Sequence, residues 1–454
     1  MKGLVARNGG RAGLAALAAI LALGLGLRAD YAWEGRIPVY DATAYATIAA
    51  NLESGEGFTL GRFGTQPASN YSPGLPLLTS GLYAVTGGVH ERFARLVLAL
   101  IGSLSVLFAY LIGRRLSGVL AGLIAGVAVA IYPALLEYQG MLMSEPLAAT
   151  LLSGAVLAIL WADAPGARVL SWGEGGLADS PVRTPPPPAP PARGWLVPGL
   201  LFGALALTRP EYLAISLPIA VAVLARHGWD GWRKGLIQAM VLLVGVAVVV
   251  APWTIRNAVA LDRFVPISTG GGQVLFAGSY MPSGGDPERV GAEVLERHPE
   301  LRRELPEDPR LEQILAALAR QRYPDTETDA ALARMGRERL WDDVSESPLE
   351  YAGFVAAKIG RIWAYGPRDV MRKPGWEVFH WLLVALGLSG LGMLAWQRRW
   401  EALLLGVVLI AVTATGALLV ASPRRVLVTI PLAAALAGVG ATACRDSLAR
   451  RWHG

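Results

Sequence analysis

Charge is what this sequence has least of: 17% of its 454 residues are Asp, Glu, Lys or Arg, where a soluble chain carries about 25%. The deficit gathers in long uncharged runs, within a chain that is 53% hydrophobic and has a mean hydropathy of +0.42. Cysteine is nearly absent as well. Cys444 stands alone, which excludes an intrachain disulfide and leaves an inert thiol near the chain end. The histidines His90, His227, His298, His380 and His453 are scattered, with none at metal-ligand spacing. A phosphate-loop motif (Gly-x4-Gly-Lys-Ser/Thr) is missing, and so is a strand-linked GxGxxG, so nothing is built to hold a soluble nucleotide. A net charge of +6 is in the direction that nucleic-acid binding requires. Its placement argues otherwise, because the arginines cluster just beyond hydrophobic runs, as the positive-inside rule expects of a membrane protein.

Uncharged runs of spanning length, or of the shorter length tolerated beside a cavity, occupy about 11–27, 94–113, 118–135, 146–162, 195–208, 211–225, 236–253, 377–396, 401–421 and 426–443. The expectation is an all-α polytopic membrane protein with about ten transmembrane helices and both ends cytoplasmic. Lys2, Arg7 and Arg11 precede the first run, and no clean A-x-A cleavage site follows it, so it reads as an uncleaved anchor. On this topology Arg114/Arg115, Arg226/Arg233/Lys234, Arg398/Arg399 and Arg445/Arg450/Arg451 all fall on the cytoplasmic side. The apolar, Gly/Pro-interrupted segment 73–89 is too short to cross and reads as juxtamembrane or re-entrant.

Three divisions follow: an N-terminal module (1–253) with a first outer loop (30–93), an extracytoplasmic cap (254–376) and C-terminal helices (377–454). A cytoplasmic linker, 163–194, carries seven prolines from Pro181 to Pro191 and tends to polyproline II. The cap holds 19 of the 35 acidic residues and shows helical periodicity around 308–322 and 328–343. Its last helix, about 350–365, places Tyr351, Phe354, Val355, Ile359, Ile362 and Trp363 on one face, as a helix lying at the interface would.

Outside the 195–225 pair, the spans have no ionisable residue in their middles. A transporter or lipid flippase, the main alternative from another class, would place such groups near the midplane and show an inverted repeat. A scaffold without chemistry would not gather polar residues at one level. Here Asp41, Glu137, Glu145, Arg209, Glu211, Arg256, Arg424 and Arg425 all fall at extracytoplasmic helix ends. Asp41, Tyr45 and Ile48 share one helical stripe, though Asp41 could equally be a plain helix cap. Arg209 and Glu211 break the run Trp195–Ala225 into two short halves, which implies either a water-filled cavity or a simple turn. Arg424 and Arg425 on the outside defy the positive-inside bias, and a bound lipid phosphate would explain them. Gly270-Gly271-Gly272 could let backbone amides approach an anion. Asp325, Glu327 and Asp329 mimic a metal-binding run but read better as first-turn dipole partners of a helix.

Asp41 with Tyr45, YSPGLPLL, MLMSEP, LALTRPE, PWTIRN and SPRRVLVTIP, in this order, resemble the GT-C membrane glycosyltransferases. The branch they look most like is the dolichyl-phosphate-mannose–protein mannosyltransferase and lipid A aminoarabinose transferase group. The resemblance covers about 1–280 and 377–445. It implies inverting transfer of a sugar from a polyprenyl phosphate to an acceptor hydroxyl, on glycolipid, cell-wall glycan or protein, at the outer face of the plasma membrane. It implies that Asp41 is the essential carboxylate, with Glu145 the best match to a second acidic position and Glu137 the next. Arg209 and either Arg424 or Arg425 would face the lipid phosphate. Tyr45, Glu211 and Arg256 complete the expected substrate contacts. No cofactor is required by this chemistry, and a divalent cation is left open.

Overall fold

The computed structural model describes residues 2–36, 40–61, 66–163, 192–284, 286, 288–364 and 369–453. The proline run Pro181–Pro191 lies outside the described residues. In chain order, α1 (Lys2–Glu34) leads to α2 (Tyr40–Glu53), then to the paired β1 (Thr59–Leu60) and β2 (Gln66–Pro67). Next come α3 (Gly74–Thr86), α4 (Glu91–Ala130), α5 (Pro133–Gln139) and α6 (Ser144–Asp163). Beyond the linker run α7 (Leu196–Thr208), α8 (Glu211–Ala225) and α9 (Trp232–Leu261). The cap comprises α10 (Gly271–Ser279), α11 (Val290–Arg297), α12 (Leu311–Arg322), α13 (Thr328–Glu346) and α14 (Pro348–Ala364). The chain then returns through α15 (Pro374–Trp396), α16 (Trp400–Leu418), the one-turn α17 (Arg424–Leu427) and α18 (Ile430–His453).

Among the described residues, six helices are long and apolar enough to cross a bilayer: Arg11–Glu34 within α1, then α4, α6, α9, α15 and α16. α7 and α8 are shorter apolar helices, and α18 is apolar over its first part, from Ile430 to Ala443. α4 is two helices in one, because Ser117 (φ −150°) and Gly118 (φ 86°, ψ −176°) reverse the chain. Only glycine takes the second conformation without strain. With α4 counted as two arms, ten apolar helical segments stand where about ten spans are expected. Their perimeter exposes large side chains such as Leu100, Val221, Val248, Leu388 and Ile410. Water would not tolerate so continuous an apolar surface, and lipid does. This is an all-α polytopic membrane protein.

Several boundaries differ from the sequence expectation, each for a local reason. The run 118–135 does not continue as one helix: it stops at Ala130, and Pro133 opens α5 instead. The buried Arg28, beyond the expected end of the first run, donates to the carbonyls of Val129 (3.1 Å) and Ala130 (3.4 Å), closing that helix end. PWTIRN does not end a span, because α9 runs on past Pro252 to Leu261. The last span begins at Ile430 rather than 426, since α17 forms a separate turn. α14 packs on α16 instead of lying alone, with Trp363 donating to Thr413 Oγ1 at 3.2 Å. Its buried residues are Phe354, Lys358 and Ile362, so a lysine sits in the middle of the inward face.

The cap has a core of its own, built from Phe276, Tyr280, Val290, Val294, Leu315, Leu318 and Leu332 among others. α10 lies flush on α13: a Cβ at Gly272 would stand 1.9 Å from the Asp329 carbonyl oxygen, so no side chain fits there. The amides of Gly272 and Gln273 do approach an anion, and it is the Asp329 carboxylate, at 2.9 and 3.2 Å. Glu327 accepts from the Ala330 amide and caps α13. The acidic run thus serves two helix N-termini.

Candidate active site

Four chain segments converge at the cap end of the bundle. α2 brings Asp41 in its first turn and Tyr45 one turn later; α6 brings Glu145 in its own first turn. The break between α7 and α8 supplies Arg209 and Glu211, and Pro210 between them prevents one continuous helix. The turn before α18 supplies Arg424 and Arg425.

Their side chains form one alternating chain of ion pairs. Arg424 donates through Nη1 to Asp41 Oδ2 (2.8 Å) and through Nε to Glu145 Oε1 (2.7 Å). The same Glu145 oxygen accepts from Arg209 Nη1 at 3.2 Å. Arg209 Nε reaches Glu211 Oε1 at 3.0 Å, and Arg425 Nη1 reaches that oxygen at 3.1 Å. Three cations face three anions. The charge that the sequence leaves unexplained on Arg424 and Arg425 is therefore balanced by carboxylates of the chain, with no outside anion needed. Burial works against the Arg424 charge, but Glu145 and Asp41 outweigh it and hold the guanidinium ionised.

The members differ in access. The Glu145 side chain is fully buried, whereas Asp41 is 37% and Arg424 30% exposed. Glu145 Oε2 is buried without a hydrogen-bond partner. A cavity of about 410 Å³ is lined by Asp41, Tyr45, Arg209, Glu211, Arg424 and Arg425, together with the hydroxyls of Ser72, Ser144, Thr208 and Ser422. Glu145 lies behind its wall. Tyr45 meets Tyr71 edge-to-face at 5.8 Å, and burial, reinforced by the Asp41 and Glu145 carboxylates, raises its phenol well above the usual range.

Two expected site residues stand elsewhere. Arg256 lies against Trp253 and Phe58, 4.9 and 5.7 Å from their ring centroids, and does not line the cavity. Glu137, on α5, does not line it either; its neighbour Tyr138, also outside the lining, has Arg424 Cζ 5.7 Å from its ring centroid. The sequence reading missed Tyr138 as a contact and named Ser72 only as part of a polar turn. Lys358 was missed outright: it is 1% exposed and donates to the Gly278 carbonyl at 2.6 Å. Its spacing was the available signal, since Lys358 stands four residues from both Phe354 and Ile362 on one helix face. As for a divalent cation, no group of three potential ligands comes together among the described residues, and all three carboxylates are engaged by arginines. That donor set does not fit one.

No family model matches this sequence, and no curated sequence does. Solved structures do match. The Archaeoglobus fulgidus oligosaccharyltransferase superposes with a TM-score of 0.56 over 97% of this chain, at 15% identity. The chain has the GT-C fold. It spans about half the length of that GT-C protein, covering 52% of it. A second structure of the same enzyme, AglB in complex with an inhibitory peptide and a dolichol-phosphate, gives 0.56 over 96% of this chain and 50% of AglB, again at 15% identity. ArnT from Cupriavidus metallidurans, bound to undecaprenyl phosphate, matches at 0.42, with 15% identity over 93% of this chain and 76% of ArnT.

Proposed function

We propose that the protein is an inverting glycosyltransferase that moves a sugar from a polyprenyl phosphate to an acceptor hydroxyl, at the outer face of the plasma membrane. The observation that carries this reading is the ion-pair chain itself: its most exposed carboxylate, Asp41, stands beside arginines that edge a polar cavity at a helix end. Attack at an anomeric carbon asks for that pairing, a base for the incoming hydroxyl and cations for the departing phosphate.

In the proposed reaction the donor phosphate competes with Asp41 for Arg424. A phosphate monoester or diester is a stronger bidentate partner for a guanidinium than a lone carboxylate oxygen. Asp41, released, accepts the proton of the acceptor hydroxyl. That oxygen forms a bond to the anomeric carbon while the bond from this carbon to the phosphate oxygen breaks. Polyprenyl phosphate leaves, its new negative charge met by Arg424 and Arg209. Glu145, which holds both guanidiniums on one oxygen, fixes their spacing and orients them. An apolar groove of about 520 Å³ among α14, α15, α16 and α18 suits the polyprenyl tail. AglB, solved with a dolichol-phosphate, binds a ligand of the class proposed here.

The test is direct. Purified protein in nanodiscs is given synthetic polyprenyl-phosphate hexoses and pentoses with a cell-envelope lipid and glycan extract, and free polyprenyl phosphate is followed by mass spectrometry. Acceptor-dependent release from at least one donor is expected. No release from any donor would remove the proposal.

A further inference from the structure

The cap carries a second cavity, open on one side and of about 600 Å³, that takes no part in the ion-pair chain. One wall is shared. Val274 on α10 lines the arginine–carboxylate cavity, while Phe276 on the same helix and Tyr280 just after it line the cap cavity. The opposite side is α13, with Glu338, Arg339, Asp342 and Asp343, and α12 contributes Arg322.

Two buried polar atoms there have no hydrogen-bond partner: the hydroxyl of Tyr280, a residue 1% exposed, and Oδ2 of Asp343. Such atoms are uncommon, because each gives up the hydrogen bonds it made with water. A ligand that both donates and accepts would restore them.

The charges narrow the ligand further. Glu338 is already satisfied by the Tyr323 hydroxyl (2.7 Å) and Arg334 Nε (2.9 Å). That leaves Arg322 and Arg339 facing Asp342 and Asp343, a balanced set that favours neither an anion nor a cation. Among the described residues no three potential metal ligands come together. The Arg339 guanidinium lies over the Tyr280 ring, 4.7 Å from its centroid. Donors and acceptors of both kinds, in a charge-balanced pocket with aromatic walls, match vicinal hydroxyls on a ring with apolar C–H faces.

We infer that the cap cavity binds an uncharged sugar unit, that of a glycan acceptor, one helix away from the transfer site. The acceptor role rests on the reaction proposed above; the binding of sugar does not.

The experiment is calorimetric titration of the full-length protein in nanodiscs with neutral linear trisaccharides of mannose, glucose, galactose and arabinose. At least one should bind saturably. Asp343→Asn and Tyr280→Phe, both close to isosteric, should each weaken it about tenfold or more, since each removes a buried polar contact. Asp41→Asn should leave it unchanged. No saturable binding by any trisaccharide, or binding indifferent to both cap variants, or binding lost in Asp41→Asn, would each overturn the inference. If sugar binds as expected while donor release fails, the error lies in the transfer reading; if donor release proceeds while no sugar binds, it lies in the cap.

Discussion

Arg424 donates to Asp41 at 2.8 Å across 383 residues of chain, joining the first loop to the last. Its Nε meanwhile holds Glu145 at 2.7 Å, so one guanidinium ties together the exposed and the buried carboxylate. Arg424→Ala should therefore cost about 2–4 kcal/mol of transition-state stabilisation, read as kcat/KM with a polyprenyl-phosphate donor. Arg424→Lys should recover part of this, keeping the charge but not the fork. Equal rates for wild type, Ala and Lys variants would show the arginine to be a structural tie only.

Glu145 offers a sharper contrast between two substitutions. Glu145→Leu leaves Arg209 and Arg424 without their common acceptor, and breaking a buried pair in this way costs about 3–5 kcal/mol. Little folded protein is expected on size-exclusion chromatography in detergent. Glu145→Gln still accepts hydrogen bonds and should fold, with donor affinity reduced because the guanidinium spacing is no longer fixed by charge. A well-folded Glu145→Leu variant with normal donor affinity would refute the anchoring role.

Much of this was legible in the sequence, and the reasons are physical. Spans announce themselves by the absence of charge, so the ten apolar segments were readable from composition alone. Asp41, Arg209, Glu211 and Arg424/Arg425 stood out because a charge at a helix end in an apolar chain needs a reason. What the sequence concealed were pairings. Nothing local says that Arg424 meets Asp41, or that Glu145 faces protein on all sides. The outer arginines looked like evidence for a missing anion because their carboxylate partners lie hundreds of residues away. Arg256 misled for the opposite reason: it sits at the right level but on a face turned to Trp253 and Phe58. The reversal at Ser117 and Gly118 was legible too, because Arg114 and Arg115 divide the runs 94–113 and 118–135 there.

Lys358 gives a pH signature. Burial, and secondarily Arg425, lowers its amine from 10.5 to about 8 in the folded chain. Below pH 8 both folded and unfolded states carry the proton and stability does not vary with this group. Between 8 and 10.5 the unfolded state binds more protons, so stability rises with pH. The thermal midpoint of wild type minus that of Lys358→Met should climb across this window. A difference that stays flat from pH 7 to 10 would place the lysine in solvent.

Orientation can be read with single cysteines in a Cys444→Ser background. Trp229, 92% exposed between α8 and α9, and Trp341, 73% exposed on the cap helix α13, are suitable reporters. In intact cells an impermeant maleimide should label Trp341→Cys and not Trp229→Cys. The reverse pattern would put the cavity on the cytoplasmic side.

The Asp41–Arg424 contact can be taken apart by one measurement on one variant: donor binding and turnover of Asp41→Asn, side by side. The amide keeps the shape of the side chain but neither its basicity nor its charge on Arg424. Turnover should fall roughly 10²–10⁴-fold, the usual contribution of a positioned base. Donor binding should hold or tighten, because Arg424 no longer has a carboxylate to give up. A variant that turns over at the wild-type rate, or one that loses donor binding along with turnover, would contradict a carboxylate that serves as the base and yields its arginine to the phosphate.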